Sequence, residues 1–241
     1  MSLYAIGDIH GHLDKLTRAV DLIERDGGPD AEIVFVGDYT DRGPQSREVI
    51  DFLIEARSAG RKWTFLKGNH DRAFQYFMQP VPRFDPHMLV GMDWLHDRIG
   101  GKTTLRSYGV EIDERSRYEE VLKQAHELVP QSHLNFLDQT TMMHRQGDCV
   151  FVHAGIRPGI PLGAQAENDL LWIREPFLSN TDDHGPLIVH GHTALKHPQH
   201  YGNRINLDGG AAYGEMLHPA VFEGRDCWLL TDGGRVPLTR V

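Results

Sequence analysis

"LYAIGDIHG", residues 3 to 11, decides the fold. Four apolar residues, Leu3-Tyr4-Ala5-Ile6, run straight into a turn that carries a carboxylate and an imidazole two positions apart between glycines. A short continuous apolar run bounded by a turn reads as a strand buried on both faces, here from Leu3 to Ile9. The next stretch is helical: Leu13, Leu16, Val20 and Ile23 lie on one face, and Gly27-Gly28-Pro29 stops the pattern. Ile33 to Val36 reads as a second strand. Pro44 is placed for the first turn of a helix whose buried stripe is Val49, Ile50, Leu53 and Ile54, and Gly60 closes it. Trp63 to Leu66 reads as a third strand. This β-α-β-α-β order predicts parallel neighbours in a sheet covered by helices.

From Ala73 to Gln146 the pattern changes. Pro80, Pro82 and Pro86 interrupt it, and Met88 to Ile99, Tyr118 to Leu128 and Ser132 to Leu137 are the candidate helices. The stretch reads as a helical insertion packed beside the sheet, within a single domain over residues 1–241. Strands return at Cys149 to Val152 and Leu187 to Val189. The tail predicts antiparallel strands joined by a hairpin turn at Gly224-Arg225-Asp226. The expected architecture is an α/β sandwich of two mixed β-sheets flanked by helices.

Composition removes several classes of function. A formal net charge of -9 with no lysine-arginine block argues against a nucleic-acid surface. No apolar run is long enough to cross a bilayer, and the N-terminus lacks the basic stretch and apolar core of a signal peptide. Cys149 and Cys227 are too few for a disulfide framework and read as buried thiols, which makes a cytoplasmic location the default expectation. Nothing in the sequence indicates an oligomeric state. Fifteen histidines invite a search for metal ligands.

Five segments share one design, an apolar strand ending in a polar, glycine-rich turn. They are GDIHG (Gly7 to Gly11), GDYTDRG (Gly37 to Gly43), GNHD (Gly68 to Asp71), VHAG (Val152 to Gly155) and HGHT (His190 to Thr193). Ligands in open α/β sheets bind outside the carboxyl ends of the strands, so these turns can converge. The residue types match a two-metal centre. Asp8 and His10, two apart at a strand end, can hold one ion. Asp38 can bridge two ions through its two oxygens, and Asn69, His153 and His192 can complete the second site. Oxygen and imidazole ligands without thiolate favour Mn²⁺, with Fe or Zn open. Two such ions, about 3.5–4 Å apart, share a water whose pKa falls toward neutrality.

The remaining residues suit phosphate. Arg42 can bind two phosphoryl oxygens at once, and Arg174, after the strand-like run of "LLWIRE", is a candidate second clamp. His70, backed by Asp41, is placed to act as general acid for the leaving oxygen.

These five ordered segments resemble the signature of the phosphoprotein phosphatase family within the calcineurin-like metallophosphoesterases, most of all the compact bacterial and phage Ser/Thr protein phosphatases. "NLDGGAAYGEML" resembles the family's closing strand region. The resemblance implies Asp8, His10 and Asp38 at one metal and Asp38, Asn69, His153 and His192 at the other. It also implies Arg42, Arg174 and Asn69 at the phosphate, His70 with Asp41 as the acid dyad, and Tyr213 near the phosphate. Two positions depart from the pattern. Thr40 stands where valine is usual, and a buried hydroxyl needs a partner. Asp71 stands where glutamate is usual, as in the symmetrical diadenosine tetraphosphatases, a sister group with the same metal site.

The expected function is hydrolysis of phosphate monoesters, phosphoserine or phosphothreonine in proteins first, by direct attack of a metal-bridging hydroxide. The alternatives are a symmetrical dinucleoside polyphosphate hydrolase and, more remotely, a catalytically silent metal-stabilised binding protein. The partner is therefore a phosphoprotein or a small phosphoester, with neither nucleic acid nor membrane involved.

Overall fold

The computed structural model describes residues 2–241. The first half is the alternation read from the sequence. Strand β1 (Leu3–Ile6), helix α1 (Leu13–Gly27), strand β2 (Ile33–Phe35), helix α2 (Ser46–Ser58) and strand β3 (Trp63–Phe65) follow in order. β1, β2 and β3 are parallel neighbours. Helix α3 (Asn69–Phe77) then leads into the irregular stretch, which holds α4 (Gly101–Ser107), α5 (Tyr118–Leu128) and α6 (Gln131–Asp138). Strands β4 (Met143–Gln146) and β5 (Cys149–Val152), helix α7 (Glu167–Trp172) and strands β6 (Leu187–His190), β7 (Gln199–His200) and β8 (Arg204–Asn206) follow. β9 (Ala220–Glu223), β10 (Asp226–Thr231) and β11 (Gly234–Pro237) close the chain.

Two mixed sheets result. One has the order β11-β10-β9-β1-β2-β3, the other β4-β5-β6-β8-β7. Alternation along β1 explains the layering, because successive side chains leave a strand on opposite faces. Leu3 and Ala5 join Val34, Phe151, Val189 and Phe222 in the core between the sheets. Tyr4 and Ile6 point the other way, into the core under α1 and α2. Helix α1 buries Leu16, Ala19, Val20, Leu22 and Ile23 on that side. Truncating one of these, Ile23→Ala, removes a wholly buried side chain and costs about 2–5 kcal/mol. Cys149 and Cys227 are buried free thiols, as read.

Four expectations change. Met88 to Ile99 is a chain of single turns instead of a helix: Met88, Met92, His96 and Ile99 each bond back three residues, and Gly91 interrupts the run at φ 81°. The apolar spacing there is met by turns that reach the same core. Pro44 lies outside α2, whose first residue is Ser46, because the amide of Gln45 is held by the Gly11 carbonyl. The end of the stretch expected to be helical pairs as β4 with β5. The strand-like run before Arg174 is helix α7, which packs Leu170 against β5 and β6. Among the described residues no helix is long and apolar enough to cross a membrane.

Candidate metal centre and phosphate cleft

The five polar turns meet at one place. Backbone bonds tie them together: the amides of Ile9 and His10 donate to the Asp38 carbonyl, Gly191 N–H to the His153 carbonyl, and Leu207 N–H to the His190 carbonyl. Two glycines are required by close approach. A Cβ on Gly191 would lie 1.9 Å from Asp8 Oδ1, and one on Gly68 would lie 2.1 Å from Asp38 Oδ1. The strain of the fold is concentrated here. Among the described residues the non-glycine positions with positive φ are His10, Asp38, Asp41, Arg42 and His192. Such backbone is costly for ordinary residues and persists where the surroundings over-determine it.

Asp38 is the centre. His10 Nε2 lies 3.5 Å from its Oδ2, and His153 Nε2 lies 3.5 Å from its Oδ1. Both rings have a fixed tautomer. His10 Nδ1–H donates to the Thr40 carbonyl at 2.8 Å, and His153 Nδ1–H donates to the Val36 carbonyl at 2.9 Å. Each Nε2 therefore carries a lone pair toward the carboxylate. Asn69 Oδ1 sits 2.8 Å from His153 Nε2 and 2.8 Å from His192 Nδ1. Asp8 takes the backbone N–H of His192 on both oxygens, at 3.3 and 3.0 Å.

This donor set fits divalent cations. The bare Nε2 of His153 faces an amide oxygen at 2.8 Å, and two acceptors that close repel until a cation or proton lies among them. Asp8, Asp38 and His153 place one ligand atom each within 4.8 Å of one another, and so do His10, Asp38 and His70. Burial pushes Asp38 up to about 8 and holds Asp8 well above the usual carboxylate range, with Asp208 as its next cause. Burial pushes the imidazole of His153 down to about 4 and those of His10 and His192 well below the usual value. Neutral imidazoles are ready ligands, and a bound cation would draw the carboxyl protons off.

The phosphate residues stand beside this centre. Arg42 donates to His10 Nε2 at 2.5 Å and to His70 Nε2 at 3.0 Å, and its guanidinium lies 5.5 Å from the centre of the Tyr213 ring. His70 Nδ1–H donates to Asp41 Oδ2 at 2.7 Å. Arg42, Arg174, Asn69, His70, Tyr213 and His192 line one cleft of about 390 Å³. Among the described residues neither Arg42 nor Arg174 pairs with a carboxylate. All eleven residues singled out in the sequence thus lie in or around one cleft and its buried head.

The structure adds residues that the sequence reading passed over. Asp208 is buried beside this centre, and its charge is among the causes that hold the Asp8 carboxyl up. It follows β8 in "LDGG", the same strand-then-glycine design as the other turns, so the signal was present. Trp94 Nε1–H and Thr104 Oγ1–H donate to the two oxygens of Asp41 at 2.8 and 2.7 Å. They come from the irregular stretch, where nothing local ties them to Asp41. Thr40 finds the partner its hydroxyl needs in Asp71, at 3.3 Å.

The family profile of the calcineurin-like phosphoesterases matches residues 1–213, and the chain belongs to that family. It is similar to the Bacillus subtilis protein named bis(5'-nucleosyl)-tetraphosphatase PrpE [asymmetrical], 26% identical over 238 residues and covering 90% of this chain and 89% of that one. The Bacillus velezensis protein of the same name is 28% identical over 240 residues, covering 90% and 87%. Among solved structures, a chain provisionally named a diadenosine tetraphosphatase superposes with a TM-score of 0.62 at 22% identity, covering 100% of this chain and 95% of that one. A cold-active protein-tyrosine phosphatase from a psychrophilic Shewanella gives 0.64 at 20% identity, covering 99% and 80%. At those identities the structures establish the fold alone.

Proposed function

We propose that this calcineurin-like phosphoesterase hydrolyses a small phosphorylated substrate, a nucleoside polyphosphate first, at a two-metal centre. The observation that carries the reading is the placement of Arg42, Arg174 and His70 at the head of one cleft, against atoms that call for cations. A cleft of about 390 Å³ lies in the small-molecule range of about 300–1,000 Å³. The names of the sequence relatives support a nucleotide substrate.

Asp8, His10 and Asp38 would hold one cation, and Asp38, Asn69, His153 and His192 the second. Mn²⁺ is the metal we propose from the ligand types, with Fe or Zn as the other candidates. When bound, such ions supply a water ionised near neutral pH and withdraw charge from phosphoryl oxygens. The protein's own groups do the rest. Arg42 and Arg174 grip the phosphoryl oxygens as charge spreads over them. Asn69 and Tyr213 border the same phosphoryl group. As an imidazolium, with a proton on Nε2 in place of the bond accepted there from Arg42, His70 gives that proton to the departing oxygen, and Asp41, held against Nδ1, stabilises the charged ring. That both sheets contribute ligands supports reading residues 1–241 as one domain. Two free buried thiols support a cytoplasmic compartment.

A second reading, a phosphoserine or phosphothreonine phosphatase, is favoured by the Asp41–His70 pair at 2.7 Å. An alkoxide needs a proton to leave, and a nucleotide phosphate needs much less help. The discriminating experiment supplies Mn²⁺-loaded protein with diadenosine tetraphosphate, a phosphoserine peptide and p-nitrophenyl phosphate in parallel. The nucleotide reading expects the highest kcat/KM for diadenosine tetraphosphate. Chromatography of the products separates symmetrical cleavage (two ADP) from asymmetrical cleavage (ATP and AMP). Preference for the peptide would favour the second reading, and no turnover of any of the three would leave only a binding role.

A further inference from the structure

We infer that the outer part of the cleft is a second anion subsite, formed by Arg98 beside a Trp172–His87 platform, which takes the distal phosphate and the base of a nucleoside diphosphate or polyphosphate. The inference deepens the reading above and rests on it for the position of the reacting phosphoryl group, at Arg42 and Arg174.

Arg98 lines the same cleft as the metal-facing residues. It is exposed, and among the described residues it pairs with no carboxylate. The acid next to it, Asp97, is taken by Lys102 at 2.8 Å. Arg98 is also held near the site. Two residues on, the Gly100 carbonyl accepts the Arg42 backbone N–H at 3.4 Å, and a Cβ on Gly100 would lie 2.5 Å from that nitrogen. The segment bearing Arg98 therefore sits directly on the segment bearing Arg42. An unpaired guanidinium beyond the two that face the phosphoryl group has no task for a substrate with one phosphate.

The platform is built from behind. Trp172 Nε1–H donates to Asp85 Oδ2 at 3.2 Å, and the His87 amide donates to Asp85 Oδ1 at 3.0 Å. Asp85 is buried and fixed by Arg72, whose Nε and Nη2 lie 2.9 and 2.8 Å away. The His87 and Trp172 rings stack at 6.1 Å with 21° between their planes. Trp172 also meets His192 edge-on at 5.9 Å, so the platform begins where the proposed ligands end. Leu89, 64% exposed, adds an apolar edge. A flat aromatic face next to a free cation matches a nucleobase joined to phosphate, since any base can stack and arginine reads the anion. A phosphopeptide supplies the anion but not the flat group.

The test measures binding by calorimetry on the Mn²⁺-loaded protein, with orthophosphate, pyrophosphate and ADP as probes and p-nitrophenyl phosphate turnover as a check on the catalytic head. The parent protein should bind ADP about tenfold or more tightly than orthophosphate. Arg98→Ala should weaken ADP and pyrophosphate by about tenfold, the order of one charge-assisted contact. Orthophosphate binding and p-nitrophenyl phosphate turnover should stay within about twofold, which also reports that the variant folds. Arg98→Glu should weaken ADP further, and His87→Ala should weaken ADP but not pyrophosphate. An unchanged ADP-to-orthophosphate ratio in both Arg98 variants would overturn the subsite. So would an equal loss of orthophosphate binding, which would place Arg98 at the reacting phosphoryl group. Failure of the underlying reading looks different: diadenosine tetraphosphate would not be cleaved while p-nitrophenyl phosphate still is, and the ADP titrations would still report on Arg98.

Discussion

The hydroxyl of Thr40 donates to Asp71 Oδ1 at 3.3 Å, so the two positions that depart from the phosphoprotein phosphatase pattern touch each other. Asp71 does more than receive that hydroxyl. Its Oδ1 accepts the Tyr39 N–H at 3.0 Å, and its Oδ2 accepts the N–H groups of Asp38 and Gly68 at 2.8 and 3.0 Å. Asp71 thus pins the turn that presents Asp38 to the turn that presents Asn69. Its identity bears on how the ligands are held and not on which substrate is bound. Thr40→Val removes one donor from a carboxylate that keeps three others. The expected loss is about 1–2 kcal/mol in urea unfolding with Mn²⁺ affinity nearly unchanged. Asp71→Asn turns one oxygen into a donor facing donors. It should cost about 3 kcal/mol or more and weaken Mn²⁺ binding by at least about tenfold. Equal effects of the two substitutions would contradict this account.

His70 should matter in proportion to how poorly the leaving group leaves. Its Nδ1 is tied to Asp41 and its Nε2 faces the cleft, where Arg42 meets it at 3.0 Å. General acid catalysis contributes typically about 10²–10⁴-fold. His70→Asn should therefore slow an alkyl phosphate by that order, and slow p-nitrophenyl phosphate and diadenosine tetraphosphate by less than about tenfold. The measurement is kcat/KM across leaving groups of graded acidity. A uniform drop across the series would mean that His70 positions the phosphoryl group and donates no proton.

The sequence made most of the site legible, and the reason is local. Asp8, His10, Asp38, Asn69, His153 and His192 each follow an apolar strand and sit among glycines, a pattern that can be read within ten residues. Asp208 carried the same pattern after β8 and was passed over because its turn offers a single ligand type. The contacts that Trp94 and Thr104 make with Asp41 could not be read. They span 53 and 63 residues, a separation that no local pattern encodes. Apolar spacing alone made Met88 to Ile99 look helical, although Gly91 and the Asp85 turn bend the chain at each step. Those turns carry Arg98 and His87 to the cleft. The part of the fold hardest to read from sequence is thus the part that would decide specificity.

Thr104 tests how far that irregular stretch reaches into catalysis. Burial pushes Asp41 up to about 7, and the hydrogen bonds from Thr104 and Trp94 act against the rise. Thr104 also accepts the Asp41 N–H at 2.8 Å. Thr104→Val removes the donor and leaves that N–H only its longer bond to Ser46 Oγ at 3.2 Å, so stability should fall by about 1–3 kcal/mol. Asp41 should then hold its proton to higher pH and support His70 less. The acidic limb of the kcat/KM profile for an alkyl phosphate should move upward, with about a tenfold loss near neutral pH. Loss of stability with an unmoved profile would assign Thr104 to packing alone.

Metal removal should give the protein a pH dependence whose sign follows from the buried ligands. In the metal-free fold Asp38 is pushed up to about 8 by burial, whereas an unfolded aspartate ionises near about 3.9. Between those values the unfolded chain has released a proton that the folded chain keeps, so this group's contribution to stability falls as pH rises and is gone above about 8. His153 acts the other way. Burial pushes it down to about 4, and an unfolded histidine titrates near about 6.5, so its contribution is present above about 6.5 and is lost as pH falls toward about 4. The two oppose each other below about 6.5, and from there to about 8 the carboxyl effect stands alone. The Tm of EDTA-treated protein should therefore drop between about pH 6.5 and 8, while the rise in Tm on adding Mn²⁺ grows over the same interval. Asp38→Asn should make the metal-free slope shallower, with buried Asp8 and Asp41 supplying what remains, and remove most of the response to Mn²⁺. A metal-free Tm that climbs through this interval would show that Asp38 is ionised without a cation, and that the turns around it supply the charge balance assigned here to metal.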